Sequence, residues 1–150
     1  MNVVLKPVEN ELVITRELKA PRERVFAAWT DVAQAARWWA PRDFTLLSCE
    51  MDVQPGGRWH RRMRAADGAV FVKQGVYREI VPPERLVFTY QTDEGGIVDG
   101  ETVVTVTFED LGGRTRLTLH HTGFDGGAAR LSHEGGWQGA IERVERFLAG

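Results

Sequence analysis

One cysteine, Cys49, stands among 150 residues. An internal disulfide and a multi-cysteine zinc site are therefore excluded. No apolar run approaches the ~20 residues of a membrane span. Residues 1–12 lack the basic-then-apolar pattern of a signal segment, so a cytoplasmic protein is expected. Charge of one sign is lacking too: 19 basic residues face 21 acidic ones, a net of −2. That leaves no electrostatic footprint for nucleic acid, which calls for a clustered basic surface. No two histidines show metal-binding spacing on a helix, no glycine-rich phosphate loop precedes a helix, and no motif demands a cofactor. Repeats of 20–50 residues and low-complexity tracts are also missing. Apolar residues make up 43% and charged residues 27%, values ordinary for a globular domain. A chain of this length is most simply one domain with its own core.

The order of elements follows from periodicity and punctuation. Residues 1–10 read as a flexible arm, interrupted by Pro7 and Asn10, with a single domain from 11 to 150. Residues 11–19 carry a broken alternation and predict a strand. Pro21 suits the first turn of a helix, and Val25, Phe26 and Trp29 share a face, so residues 21–29 predict a short helix. Thr30 or Asp31 caps a second one over 32–38, which the Trp38-Trp39-Ala40-Pro41 run ends. Strands follow over 44–53, 57–66, 69–81, 86–92, 101–109 and 115–122. They are separated by Pro55-Gly56-Gly57, by the hairpin pair Asp67-Gly68, by Pro82-Pro83, by an exposed loop over 93–100 and by Gly112-Gly113. Residues 123–130 read as a linker. A helix from Ser132 to Leu148 then places Trp137, Ala140, Ile141, Val144, Phe147 and Leu148 on one apolar stripe, opposite Glu142, Arg143, Glu145 and Arg146.

Strands grouped together and flanked by helices predict an α+β domain. The last helix buries its stripe on an antiparallel sheet of six to seven strands. A sheet curving round that helix leaves a space between them, where a ligand would sit.

The period-2 rule picks out the residues that face this space. Trp59, Arg61, Met63 and Ala65 share one face of their strand. An always-charged guanidinium among apolar neighbours calls for a carboxylate or an anionic ligand. His121 is in phase with Leu117 and Leu119, where an imidazole can donate, accept or move a proton. Tyr90 shares its face with Leu86 and Phe88. Tyr77 faces inward or outward depending on an irregularity near Gly75, a glycine that suggests a bulge or a close backbone approach. Arg58, Arg62 and Arg64 read as the solvated face, and His60 and His120 fall out of phase. His133 reads as a cap or packing residue. Five tryptophans either line an aromatic pocket or plug the sheet–helix junction. Cys49 is read as inward with Leu47 and Met51, with nothing beside it to activate a thiol. Gly135 and Gly136 are expected to let the last helix lie close to the sheet, so that Trp137 caps one end of the space.

Several blocks also carry a resemblance. They are Pro21-x-Glu23-x-Val25-Phe26-x-x-Trp29-Thr30-Asp31, Trp38-Trp39-x-Pro41, Asp52-Val53-x-Pro55-Gly56-Gly57-Arg58-Trp59, the run from Gly75 to Leu86, Val104-Thr105-Val106-Thr107-Phe108, His121-x-Gly123-Phe124 and Gly136-Trp137. In this order they resemble the activator of heat-shock-protein ATPase homologue family over residues 12–148. The resemblance implies the helix-grip fold of the START and birch-pollen-allergen superfamily, with a cavity between curved sheet and last helix. Family members often carry an apolar or aromatic residue where Arg61 stands. The quoted motifs are structural glycines, prolines and aromatics rather than a catalytic signature, and fold does not fix function.

Three functions are weighed. The first is a module binding a hydrophobic, anionic or aromatic small molecule, with Arg61, Tyr77, Tyr90 and His121 as polar groups and Trp59, Met63, Phe88, Val106, Leu119, Trp137 and Ile141 as the apolar wall. The second is a cyclase-, aromatase- or hydrolase-like enzyme using His121, Tyr77 and Arg61; no nucleophile–base pair or paired inward carboxylates support it. The third is a chaperone-regulating domain, a role that in the eukaryotic proteins also uses a separate N-terminal domain. A homodimer through an edge strand or helix is compatible with the pattern, though no residue commits to it.

Overall fold

A computed structural model describes residues 11–94, 97–98, 100–124 and 126–150. The expected arm over 1–10 lies outside the described residues, as do positions 95, 96 and 99 of the loop expected at 93–100. The order is β1 (Glu11–Leu18), α1 (Arg22–Thr30), α2 (Val32–Trp38), β2 (Phe44–Met51), β3 (Arg58–Ala65), β4 (Val70–Val81), β5 (Arg85–Glu94), β6 (Ile97–Val98), β7 (Thr102–Asp110), β8 (Thr115–Thr122) and α3 (Gly127–Ala149). The strands form one antiparallel sheet in the order β1-β8-β7-β5-β4-β3-β2, with the short β6 beside β5. The sheet curves round α3, the helix-grip arrangement.

The two short helices form where the sequence places them. Asp31 caps α2, its Oδ1 accepting the Ala33 N–H at 3.1 Å. Val25, Phe26 and Trp29 of α1 are all buried. On α3 the stripe of Trp137, Ala140, Ile141, Val144 and Leu148 is buried against the sheet.

Two bulges bend the sheet. The β2–β3 register shifts between Leu46 and Ser48, and the β4–β5 register shifts between Tyr77 and Glu79. An extra residue in one strand increases local twist and bends it. The first bulge corrects an expectation: Leu47 turns outward and is exposed, whereas Cys49 and Met51 stay partly covered. The pairing of Gly75 with Trp59 explains the strand glycine. A Cβ there would collide with the Thr89 carbonyl and lie 2.7 Å from the Trp59 indole nitrogen. Because the obstacle is backbone, Gly75→Ala is expected to destabilise by about 2–3 kcal/mol in urea unfolding.

The last helix begins earlier than its pattern suggests. It starts at Gly127, not Ser132, and runs 23 residues, about 34 Å at 1.5 Å per residue. Gly126, at φ +101°, makes the sharp entry, and the glycines that read as a linker only mask a helix-forming Ala128-Ala129 start. Gly135 and Gly136 do not serve close packing either: a Cβ at each would meet nothing within 4 Å.

Candidate functional site: an arginine beneath an aromatic cleft

The inward phase of β3 holds in space. Trp59, Arg61 and Met63 are 2%, 2% and 4% exposed. Trp59 is fixed by its indole N–H, which donates to the Thr89 carbonyl at 3.2 Å. The Arg61 guanidinium carbon lies 3.1 Å from the Trp39 ring centroid and 4.2 Å from that of Trp59. Among the described residues no carboxylate pairs with it, and its buried Nε and Nη2 have no hydrogen-bond partner. Removal from water pulls its pKa down to about 9, opposed by Tyr90, Cys49 and Tyr77. At neutral pH the group remains a cation, buried among rings.

This cation borders a small inner chamber that also touches Trp39, Trp59, Tyr77, Phe88 and Met51. The chamber is about 10 Å³, room for roughly one water. Burial pushes the Tyr77 phenol up to about 12, with Arg61 acting against it. Burial likewise raises the Cys49 thiol, so it is not an activated nucleophile.

Trp39 separates this chamber from a wider cleft of about 200 Å³ between the sheet and α3. The cleft wall is Phe44, Met63, Phe71, Tyr90, Trp137 and Ala140, and its polar rim is Lys73, Ser132, His133 and Arg143. No acidic side chain lines it among the described residues. Lys73 donates to Thr92 Oγ1 at 2.9 Å. Arg143, which the periodicity puts on the solvated face, is half-buried instead. Its Nε and Nη2 donate to the Trp38 and Trp39 carbonyls at 2.7 and 3.0 Å. A cation from α3 thus satisfies the carbonyls left over at the end of α2 and fixes the Trp39 backbone over Arg61.

His121 is fully buried but borders neither cavity. Its Nδ1 lies 2.9 Å from the Trp137 indole nitrogen. An indole N–H only donates, so Nδ1 is the acceptor and the proton of the neutral ring sits on Nε2. That nitrogen is 2.6 Å from Thr102 Oγ1, which in turn donates to the Tyr90 carbonyl at 2.6 Å. Every group in the chain from Trp137 to Tyr90 is satisfied. His121 is thereby a positioning residue for Trp137 and Tyr90 rather than a cavity contact. Burial, with His133, Lys73 and His120 nearby, pushes its pKa down to about 3.

The unfolded histidine titrates near ~6.5, so the unfolded chain binds a proton first as pH falls. The stability that the neutral ring contributes is complete above about pH 6.5 and is lost toward pH 3, at most ~1.4 kcal/mol per pH unit. Urea unfolding between pH 7 and 4 is expected to show this slope in the parent protein and a flatter one in His121→Gln.

The residues named from the sequence therefore divide. Trp59, Arg61, Tyr77 and Phe88 gather at the chamber, and Met63, Tyr90 and Trp137 at the cleft. Ile141, Val106 and Leu119 are fully buried core and border neither space. Sequence reasoning missed Phe71 and Lys73, although both share the period-2 phase of Tyr77 on β4. It also missed Arg143, whose partners are backbone carbonyls that no side-chain pattern announces. His133 packs as expected at its own level, its Nδ1 lying 2.8 Å from the Ala129 carbonyl, but its helix turn also forms the rim. A hollow of about 450 Å³ on the outer sheet face mixes Glu50 and Glu101 with Arg58 and His60, beside Trp59 and Val76. Among the described residues no group of three or more His, Cys, Asp or Glu could hold a metal. No described helix is long and apolar enough to cross a membrane.

Known structures share this framework. An uncharacterised protein from Rhizobium leguminosarum is 29% identical, with 95% of each chain covered and a TM-score of 0.83. A protein from Chromobacterium violaceum is 28% identical over 91% of this chain and 95% of that one, at a TM-score of 0.80. The AHSA1 protein from Silicibacter pomeroyi is 25% identical over 93% and 97%, at 0.82. No curated protein matches the chain. The model of the activator of Hsp90 ATPase homolog 1-like proteins matches residues 19–149, and with the sheet, helices and cleft in the arrangement described, the chain belongs to that family.

Proposed function

We propose that the protein is a binding module for a hydrophobic small molecule whose polar end carries negative charge. The observation that carries this reading is Arg61, a buried cation whose Nε and Nη2 have no hydrogen-bonding counterpart among the described residues, in a chamber that shares Trp39 with an aromatic cleft lined by no described acid. Ligand sites commonly combine an apolar wall with a few convergent polar groups. A cleft of about 200 Å³ suits a compact body such as a fused aromatic ring or a short chain. The enzymatic alternative is weaker, because His121 has both nitrogens engaged and the Tyr77 phenol is pushed up to about 12. The family name speaks of chaperone ATPase activation; the cleft and its cation favour a small molecule for this chain.

Thermal unfolding in the presence of paired naphthyl, phenyl and short-alkyl compounds, each as an acid and as the matching alcohol, tests the reading. The melting temperature is expected to rise with the aromatic acids, and a panel without any shift would overturn it. A helix glycine gives an independent check. Gly136 borders the cleft, and a Cβ there is unobstructed. Gly136→Ala is expected to stabilise the free protein by about 1 kcal/mol through helix propensity, while Gly136→Leu should fill the cleft and abolish the ligand-induced shift.

A further inference from the structure

Arg61 offers more than charge. Its Nε and Nη2 form the side edge of the guanidinium, two parallel N–H donors in a plane. Both are buried without partners among the described residues, while the guanidinium face is covered by Trp39 and Trp59. A parallel pair of donors matches the two oxygens of a carboxylate. The chamber beside this edge is about 10 Å³, too small for a carboxylate unless one wall yields.

The walls differ in how they are tied. The Trp59 indole N–H is bonded to the Thr89 carbonyl and that of Trp137 to His121. Behind them, the Trp38 indole N–H is bonded to the Ala28 carbonyl. The indole N–H groups of Trp29 and Trp39 make no hydrogen bond among the described residues, and of these two chamber-wall rings Trp39 alone also lines the cleft. Its backbone is anchored by Arg143, while its ring packs against Trp29, Trp38 and Trp137, so a swing of the ring exchanges those contacts while the main chain stays in place.

Resting on the binding reading above, we infer that the ligand is a planar monocarboxylate, gripped two-pronged by the side edge of Arg61 after the Trp39 ring swings aside to join chamber and cleft. The apolar body of the ligand then occupies the cleft against Met63, Phe71 and Tyr90.

The experiment is calorimetric titration with 2-naphthoate and with 2-naphthalenemethanol, on the parent protein, Arg61→Lys, Arg61→Met and Trp39→Phe. Naphthoate is expected to bind the parent and the alcohol to bind far more weakly. Arg61→Lys keeps the charge but lacks the fork, so naphthoate should weaken roughly 10–100-fold, the loss of a charge-assisted hydrogen bond. The Nε–H resonance of Arg61 is expected to move on naphthoate addition, and that of the Trp39 indole with it. Trp39→Phe, a smaller ring that keeps an aromatic face at this position, should bind naphthoate faster in stopped-flow fluorescence.

Equal binding of acid and alcohol, or naphthoate binding unchanged in Arg61→Lys, would overturn the fork and leave the hydrophobic cleft standing. Two-pronged binding with an unmoved Trp39 resonance and an unaltered on-rate in Trp39→Phe would overturn the gate alone. Binding of neither compound up to its solubility would overturn the cleft reading and the fork together.

Discussion

Trp137→Ala is expected to lower the unfolding free energy by about 3–5 kcal/mol, the range for removing a packed indole. The ring is 4% exposed and lies near-parallel to Trp29 with centroids 6.0 Å apart. It also meets Trp39 edge-on at 5.7 Å. Its loss takes away the donor to His121 Nδ1, leaving a buried acceptor unpaired. Trp137→Phe keeps one aromatic ring but removes the donor and part of the indole's volume, so an intermediate loss of about 2–4 kcal/mol is expected, the unsatisfied buried acceptor adding to a smaller cavity. Urea unfolding checks both. A loss under about 1 kcal/mol for the alanine variant would mean that the indole is solvated. Because Trp137 also walls the cleft, the alanine variant should accept bulkier aromatic acids than the parent does.

Arg61→Met is expected to do the reverse: stabilise the free protein and remove binding of acids. Holding a guanidinium out of water costs several kcal/mol, and replacing buried ions with well-packed apolar residues often gains about 1–4 kcal/mol. The stacking on Trp39 and Trp59 returns part of that cost, about 2 kcal/mol for a desolvated cation over a ring. A net gain of about 2 kcal/mol in chemical unfolding at pH 7 is therefore expected. The sign follows from the lowered pKa of about 9. The penalty is fully present below that value and fades as pH rises through it. A destabilised Arg61→Met would mean that the ring contacts outweigh desolvation, and the charge would then need no ligand to account for it.

The fold was legible because its signals are local and mutually consistent. Asp31 before Val32, Asp67-Gly68 between two strands, and the spacing of Trp137, Ala140, Ile141 and Val144 each demand one conformation, and the structure shows it. The same period-2 reading brought Arg61 and His121 inside. It could not say what they would meet there. Alternation fixes the face of a strand on which a side chain sits, but not the distance to the next element. Hence His121, in phase with the wall, is shielded from both spaces by partners on β7 and α3. Leu47 was misplaced by a one-residue bulge, which reverses the phase of everything behind it. The start of α3 was misplaced because glycine reads as a linker wherever it clusters. Trp39 and Arg143 are joined through main-chain carbonyls, a contact that side-chain identity does not announce.

Among the described residues the sheet does not close on itself: its path ends on β1 at one side and β2 at the other. An open, regular strand end is a template on which another chain can add itself and start a growing assembly. The bulge at Leu47 breaks the pairing of β2 into the runs 44–46 and 48–51, so neither stretch offers a long straight ladder. On β1, Arg16 and Glu17 are held by ion pairs to Glu145 and Arg114, which sets charge along that margin. A feature that first appears as a register shift thus also acts as protection against runaway polymerisation. It lets the sheet stay open around its helix without inviting copies of the chain to extend it.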